Sequence, residues 1–470
     1  MLRPYQRQGC VDVAAAFVAG HRRVVWVLPT AAGKTVGFTH LARTSGMRVL
    51  IVAHRRELIR QASTKLAGVP HGIIAPWADP APHHPVQVGS VQTIVRRPAF
   101  PVDILIVDEC HHAVMSGTYG ALLAMFPGAM VLGVTATPWR LDGRGLGEVF
   151  THMVLGPTLR ELTDAGYLSP ALTWAPEKAP DLRSVHVQAG DFMTRDLAVV
   201  MDKPTVTGDA VDHYEQHARG LPALGFCVSI QHAINTAAAF NSRGWRAAAV
   251  DGTTSARERD AAFDGLASGA VHAVFSCALI DEGLDVPAVS CVVDLAPTQS
   301  LTKFMQRVGR GLRLAEGKPH LVHLDHAGNT LRHGMPDSDR VWTLEGTPRR
   351  ARTVPAVAQC PDCFALHHPG PRCPACGHDY AAAAEQRESA AREAREVAGM
   401  LTPITLEDAR LAHLRKEPLR ELLKGVKSWD DIEAIRSARG YKAPWRDKIA
   451  SLRRLRRDNA DGSEFQGVAA

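Results

Sequence analysis

Through most of this chain, short apolar runs recur and each ends in small, polar or charged side chains. Val24–Leu28, Val49–Ala53, Ile104–Val107, Val131–Val134, Phe226–Ile230 and Val274–Cys277 are rich in β-branched residues and lack a steady polar alternation. A strand buried on both faces of a parallel sheet reads this way, whereas a strand with one wet face alternates. Residues 2–19 carry Val11, Ala14, Ala15 and Val18 at helical spacing and predict a flanking helix. The repeat of strand, turn and helix predicts an α/β fold with parallel sheets.

The pattern changes three times. Residues 161–205 lose strong periodicity, opening with Gly166-Tyr167-Leu168, and a second βα series begins near residue 222. A cysteine-containing stretch follows, and then Ala381–Gly399 is Ala-, Glu- and Arg-rich with few large apolar residues. Leu419, Leu422, Leu423 and Val426 form a last helical stripe. The boundaries predicted are a first α/β domain over 1–165, a linker over 166–205, and a second α/β domain over 206–345. A small module over 355–380 and a helical, basic region over 381–470 complete the chain. Ala113–Trp139 carries no charged side chain, but Gly117, Gly120, Pro127, Gly128 and Gly133 interrupt it. It predicts a helix followed by a buried strand, and no membrane span.

Composition narrows the classes. With 46% hydrophobic and 22% charged residues, the chain reads as an ordinary globular protein. Nine cysteines behind an N-terminus without an apolar leader predict a reducing, cytoplasmic setting. The net charge of +6 is uneven, because residues 436–457 hold nine Lys/Arg against one Asp. A local basic surface suits a polyanion. Trp429, Tyr441 and Trp445 lie nearby, either to stack on bases or to anchor a small helical core.

The chemistry lies at the strand ends. Val24–Leu28 runs into Pro29-Thr30-Ala31-Ala32-Gly33-Lys34-Thr35, a phosphate-binding loop between a strand and a helix. Backbone N–H groups of Thr30, Ala32 and Gly33 and the helix start would cradle phosphates. Lys34 would neutralise the β- and γ-phosphates, and the Thr35 hydroxyl would ligate Mg²⁺. Ile104–Val107 ends in Asp108-Glu109-Cys110-His111. Asp108 would reach the Mg²⁺, Glu109 would polarise the attacking water, and His111 would report the nucleotide state. Gln6, just before the first helix, could read an adenine with its amide. Arg55, and Gly89, Ser90 and Gln92 of a later strand end, could hold the phosphates of a nucleic-acid strand. For either segment taken alone, a plain strand-to-helix turn is the favoured reading. Thr135 and Thr137 offer two hydroxyls that can relay hydrogen bonds. In Gln306-Arg307-Val308-Gly309-Arg310-Gly311-Leu312-Arg313, arginines three apart on one helix face could both reach a γ-phosphate held by the other domain.

In this order, from about residue 2 to about residue 330, these motifs resemble a superfamily 2 helicase or translocase of the DEAH/DECH kind. The resemblance implies two tandem RecA-like domains, with ATP and Mg²⁺ bound between them. It makes Arg310 and Arg313 arginine fingers, Gln306 a sensor and Arg307 a supporting contact. In Asp281-Glu282-Gly283-Leu284-Asp285 it implies nucleotide contacts by Gly283 and Asp285 that couple to the nucleic-acid path. Relatives often carry Gly where this chain has Ala31.

Cys360-Pro-Asp-Cys363, nine residues, then Cys373-Pro-Ala-Cys376 predicts four thiolates around one Zn²⁺. Two disulfides are the alternative, and His367, His368 and His378 are reserve ligands. A helicase-like core, a four-Cys module and a helical tail ending in Gly440-Tyr441-Lys442 look most like the bacterial RadD-type DNA-repair ATPases. The implied function is ATP-dependent translocation or unwinding of DNA in repair or recombination. Single-stranded or branched DNA would be the substrate, and a single-stranded-DNA-binding protein a further partner. A DNA-binding adaptor with weak ATPase and an RNA helicase are the alternatives.

Overall fold

The computed structural model describes residues 2–79, 81–113, 115–140, 142–176, 179–188, 190–277, 286–346, 356–386 and 406–452. The described residues of Met1–Tyr380 form one compact unit and those of Ala381–Ala470 a second.

Seven parallel strands make the first sheet of the larger unit: β1 (Arg23–Val27), β2 (Val49–Ala53), β3 (His71–Ile74), β4 (Val86–Ser90), β5 (Ile104–Asp108), β6 (Met130–Thr135) and β7 (His152–Leu155). Their spatial order is β3-β4-β2-β5-β6-β1-β7. All five residues of β2 and of β4 are buried, which accounts for the lack of polar alternation. The strands all run the same way, so the loops that leave their ends share one sheet edge, where parallel sheets bind ligands.

The second sheet is built from β8 (Ala171–Trp174), β11 (Ala223–Phe226), β12 (Ala247–Val250), β13 (Ala273–Ser276), β14 (Cys291–Asp294), β15 (Leu321–Asp325), β16 (Ala358–Gln359) and β17 (Ala365–His367). Its order is β12-β13-β11-β14-β15-β8-β17-β16. The first six strands are mutually parallel, whereas β17 joins β8 antiparallel and β16 joins β17 antiparallel. Two structural differences from the sequence reading follow. The stretch expected as a linker supplies β8, the two-strand ribbon β9 (Val187–Gln188) and β10 (Asp191–Phe192), and a helix at Thr194–Met201. The four-Cys module is a continuation of the second sheet through its β16–β17 hairpin. Both segments are short and polar at their ends, so neither carries the long apolar run that marks the central strands.

The two lobes are also tied by residues 342–346. Trp139 and Trp342 meet edge to face at 4.7 Å, the Trp139 Nε1–H donates to the Thr343 carbonyl (3.1 Å), and Gly147 N donates to Leu344 O (2.8 Å).

The second unit contains helices Leu406–Lys416, Leu419–Lys424, Trp429–Arg439 and Ala443–Leu452 around Val426, Ile432, Ile435 and Ala450. Its aromatics contribute to this small core: Trp429 and Trp445 pack against it, and Tyr441 meets Trp445 at 4.6 Å. Several of its cations are engaged internally. Arg436 pairs with Glu433 (2.5 Å), Arg446 with Glu433 (3.4 Å), and Arg439 donates to the Leu414 carbonyl (2.7 Å). The remainder of the basic stretch, from residue 453 on, lies outside the described residues.

Candidate active site

The phosphate loop leaves β1 and enters the helix Lys34–Thr44 through Gly33, whose φ of 78° is left-handed. Lys34 and Thr35 thus open the helix, where the first N–H groups have no intrahelical acceptor and face an anion. Ala31 is also left-handed, at φ 67°. That conformation explains the preference for glycine there, because a Cβ is strained in it.

Gln6 lies under this loop. Its Nε2 donates to the carbonyls of Ala32 (2.9 Å) and Gly33 (3.3 Å), and its Oε1 accepts from Arg3 N (3.0 Å). The Tyr5 hydroxyl donates to the same Ala32 carbonyl at 2.9 Å. In this geometry the amide expected to read an adenine braces the loop backbone.

Across the loop, β5 delivers the carboxylates. Asp108 is buried at its end, and Glu109 takes a left-handed φ of 48° with its N–H on Asp108 Oδ1 at 3.0 Å. The turn points the Glu109 side chain back at the loop, where Lys34 Nζ lies 3.7 Å from Oε1. Asp108 and the Thr35 hydroxyl are hard oxygen donors of the type Mg²⁺ takes, and they belong to the two elements that this ion pair joins.

A relay continues from Glu109. His111 Nδ1 lies 3.4 Å from Glu109 Oε2 and 3.2 Å from Thr135 Oγ1. The Thr135 hydroxyl donates to the Thr137 carbonyl (2.9 Å), so the ring N–H is the donor in the bond to Thr135. Thr137 Oγ1 then donates to Thr302 Oγ1 of the second lobe at 2.9 Å. Glu109, the residue expected to activate water, is connected in this way to the helix Leu301–Arg310.

That helix is pressed against the phosphate loop. A Cβ on Gly309 would lie 2.3 Å from Thr30 Cγ2, so only glycine permits the approach. Gln306 and Arg310 are buried on the same helix, and Gln306 Nε2 has no hydrogen-bond partner among the described residues. Arg307 belongs to the lobe's interior. Its Nη1 donates to the Ala296 carbonyl (2.6 Å) and pairs with Asp294 (3.4 Å). Asn329 Nδ2 holds the other Asp294 oxygen at 2.8 Å. Burial raises the Asp294 carboxyl above its usual range, and Arg307 opposes that shift. Asp294, His323 and Asp325 converge within 4.8 Å. The oxygens of Asp325 accept from the N–H groups of Asn329 (3.0 Å) and Thr330 (2.6 Å), so protein donors hold this carboxylate.

Arg313 corrects one expectation. The helix ends at Arg310 with Gly311 after it, so Arg313 is beyond the helix and does not share a helical face with Arg310. Glycines at 309 and 311 weaken the helix at its end. The segment after the helix is held instead by Lys318, whose Nζ donates to the carbonyls of Arg313 (2.8 Å), Val289 (2.6 Å) and Gly311. Burial lowers this ammonium to about 8. At its other end the helix is anchored by Asp191 of β10, which accepts from Gln299 N (2.7 Å), Thr298 Oγ1 (2.9 Å) and Lys303 Nζ (2.8 Å). Sequence reading missed Asp191, because nothing local marks partners so distant along the chain, and Lys318, because its partners are backbone carbonyls that no residue type marks.

Arg55 is the residue before the helix Arg56–Lys65, at the edge where β2 ends. Ser90 Oγ donates to Gln92 Oε1 at 2.6 Å at the neighbouring end of β4. Gly89 differs: it is buried in β4, and a Cβ there would lie 2.8 Å from Ile94 Cδ1 and 2.9 Å from Ile74 Cβ. Its lack of a side chain serves packing. His54 and His112 connect this edge to the carboxylates. The His112 ring lies 4.5 Å from His54 and 4.2 Å from His111. Gly283 and Asp285 lie outside the described residues.

The four cysteine sulfurs lie within 4.8 Å of one another, with Cys360 to Cys376 at 3.6 Å and Cys363 to Cys373 at 3.7 Å. The two knuckles have matching turns, with Phe364 N donating to Cys360 O (3.0 Å) and Gly377 N to Cys373 O (2.9 Å). Phe364 and Gly377 are both left-handed, at φ 59° and 78°. Burial raises the Cys360 thiol, but N–H groups of Cys363 and Asp362 directed at its sulfur outweigh this and bring it to about 6. Burial pushes the neighbouring Cys363 thiol up to about 12, so the sulfurs do not share charge equally, but their number and closeness fit the four-sulfur donor set that Zn²⁺ takes. The reserve histidines are engaged elsewhere: His367 with the Tyr380 hydroxyl (2.9 Å), His368 with Asp337 (2.7 Å) and His378 with Asp362 (2.6 Å).

Known proteins resemble this chain in sequence and in fold. Residues 1–140 match the family described as "Type III restriction enzyme, res subunit", and residues 206–315 match "Helicase conserved C-terminal domain". A 51.5 kDa protein of a Lactococcus phage (isolate 7-9) is 30% identical over 419 residues, which is 86% of this chain and 87% of the phage protein. A Saccharomyces cerevisiae protein named as an ATP-dependent helicase, IRC3, is 28% identical over 356 residues, 70% of this chain but 52% of its own length. A fragment of an HsdR subunit of a type I restriction enzyme from Vibrio vulnificus superposes with a TM-score of 0.56 at 21% identity, covering 74% of this chain and 67% of that one. The type ISP restriction-modification enzyme LlaBIII, solved bound to DNA, gives 0.51 at 17% identity over 69% of this chain and 27% of its own. These structures show the fold: two RecA-like domains. Among the described residues no helix is long and apolar enough to cross a membrane. The chain shares a family with the phage protein and belongs to the superfamily 2 helicases, which use ATP and Mg²⁺, and it is an ATP-hydrolysing enzyme that acts on nucleic acid.

Proposed function

We propose that this enzyme is a DNA-directed motor, close in kind to the RadD-type repair ATPases, that translocates along or remodels single-stranded or branched DNA. Lys34 and Thr35 would hold the phosphates and Mg²⁺ with Asp108, and Glu109 would orient the attacking water. Arg310 would face charge developing on the γ-phosphate, with Arg313 contributing from beyond the helix. The observation that supports this reading is the seating of Leu301–Arg310 on the first lobe, on the phosphate loop through Gly309–Thr30 and past the end of β6 through Thr302–Thr137. Hydrolysis that loosens this contact would let the lobes separate, and rebinding would close them, so each turnover becomes a step along a strand. DNA rather than RNA is favoured by LlaBIII, whose structure holds DNA. A Zn²⁺ on Cys360, Cys363, Cys373 and Cys376 would staple the edge of the second sheet. ATP turnover measured against single-stranded DNA, forked DNA and RNA tests the reading. Stimulation by DNA well above RNA supports it, and turnover indifferent to all three removes it.

A further inference from the structure

One aromatic side chain on the proposed nucleic-acid face has no role in the fold's core. Trp77 follows β3, and its side chain is 39% exposed, while Arg56 stacks its guanidinium over the indole at 4.7 Å from the ring centroid. The register places both beside the residues already set on that face. Ala53 of β2 pairs with Ser90 of β4, and Ile74 of β3 pairs with Gly89 of β4. Arg55 and Arg56, Gln92, and Trp77 therefore stand within three residues of three adjacent strand ends. The edge continues onto the second lobe, because Glu57 pairs with Arg259 at 3.4 Å. Arg259 belongs to the helix Ala256–Ser268, which opens directly after Thr253, Thr254 and Ser255.

We propose that Trp77 is a base-stacking residue of the nucleic-acid track, an inference that rests on the nucleic-acid reading above. The Arg56 plane lies on an indole that stays 39% exposed, so this ring takes a flat, delocalised group as a stacking partner, and a nucleobase has that shape. Arg56 then has a phosphate within reach of the same stack. Phosphate contacts alone would hold a strand without regard to its bases. A stacking tryptophan instead makes affinity depend on the bases being present.

The test is a cycle between protein and ligand. Full-length wild type, Trp77→Ala and Trp77→Phe are titrated with oligothymidylate and with a fully abasic strand of the same length, which keeps the phosphates. An oligouridylate arm distinguishes DNA from RNA as the source of the base. Wild type should bind oligothymidylate about 5- to 100-fold more tightly than the abasic strand. Trp77→Ala should bind the two nearly equally, and Trp77→Phe should keep part of the preference. Thermal unfolding of each variant establishes that the exposed site tolerates the change. Full discrimination retained in Trp77→Ala would overturn the proposal, as would a wild type that ignores base removal. Loss of affinity for both strands alike in Trp77→Ala would also overturn it, leaving the pair as a surface cation–π contact that only positions Arg56. A wild type that binds no strand at all would remove the nucleic-acid reading itself.

Discussion

The two lobes present the groups proposed to act on ATP by different means. In the first lobe the groups stand on loops held by backbone conformation, with left-handed Ala31, Gly33 and Glu109 at the strand ends. In the second they stand on a helix held by side chains, with Asp191 at its start, Lys318 at its end and the Asp294–Arg307–Asn329 network beneath it. The difference suits the division of labour. A phosphate cradle must offer N–H groups, which only particular backbone shapes can aim at one point. An arginine that must arrive from across a cleft needs a rigid mount instead. Substitutions in the first lobe should therefore act on rate, and many in the second should act through the fold.

The largest effects belong to the first lobe. Lys34→Ala and Glu109→Gln should each abolish ATP turnover, for different reasons. The lysine change removes the charge facing the phosphates and weakens ATP binding, whereas the glutamine keeps binding and loses only water activation. Nucleotide titration by fluorescence separates them, and an equal loss of ATP affinity in both would contradict the distinct roles of the lysine and the glutamate.

Arg310 and Arg307 then divide the second lobe. Arg310→Ala should lower hydrolysis by about 10³-fold or more, as for an arginine finger, with ATP binding nearly intact. Arg307→Ala should instead destabilise the lobe by roughly 3–5 kcal/mol, because it leaves the buried Asp294 carboxylate without its cation. Chemical denaturation of both variants checks the contrast. If Arg307→Ala were as stable as wild type, the network would not be the helix's mount.

How much of this could be read in the sequence differs along the same line. The loop motif, the Asp-Glu pair and the Cys pairs are local patterns whose chemistry needs fixed spacing, and each could be read directly. The mount of the arginine helix could not, since Asp191 reaches Lys303 from a ribbon in the apparent linker. Nor could the extent of the second sheet be read, because β8 and the β16–β17 hairpin are short. Gly309 was read as part of a motif, and only its approach to Thr30 shows why no side chain fits.

The Cys module falls between the two modes, since its ligands stand on turns but its hairpin extends the second sheet. Purified without chelator, the protein should carry one zinc per chain, and Cys363→Ser should lose it and unfold the hairpin locally. DNA-independent ATP hydrolysis should largely survive, because β8 remains paired with β15 when β17 detaches. Metal analysis finding no zinc, or loss of basal turnover equal to that of Lys34→Ala, would refute this separation.

The smallest expected effect falls on Ala31, and it bears on whether the enzyme is a motor or an adaptor with weak ATPase. The adaptor reading treats alanine at this position as an obstacle to the phosphate loop. In the structure the loop already takes the left-handed shape at Ala31, with φ 67°, so the cradle forms with the methyl group in place. What the methyl contributes is strain of about 1 kcal/mol. Glycine would relieve that strain but would add freedom to the unfolded chain, worth roughly 0.4–1 kcal/mol in the opposite sense. Ala31→Gly should therefore change stability by less than about 1 kcal/mol. Turnover should change by no more than about fivefold, the equivalent of that energy in a barrier. Unfolding curves and DNA-stimulated ATPase measured side by side decide the matter. A gain of tenfold or more would mean that Ala31 holds the loop back, and the comparison would reverse: the first lobe, not the mount of the arginine helix, would limit this enzyme.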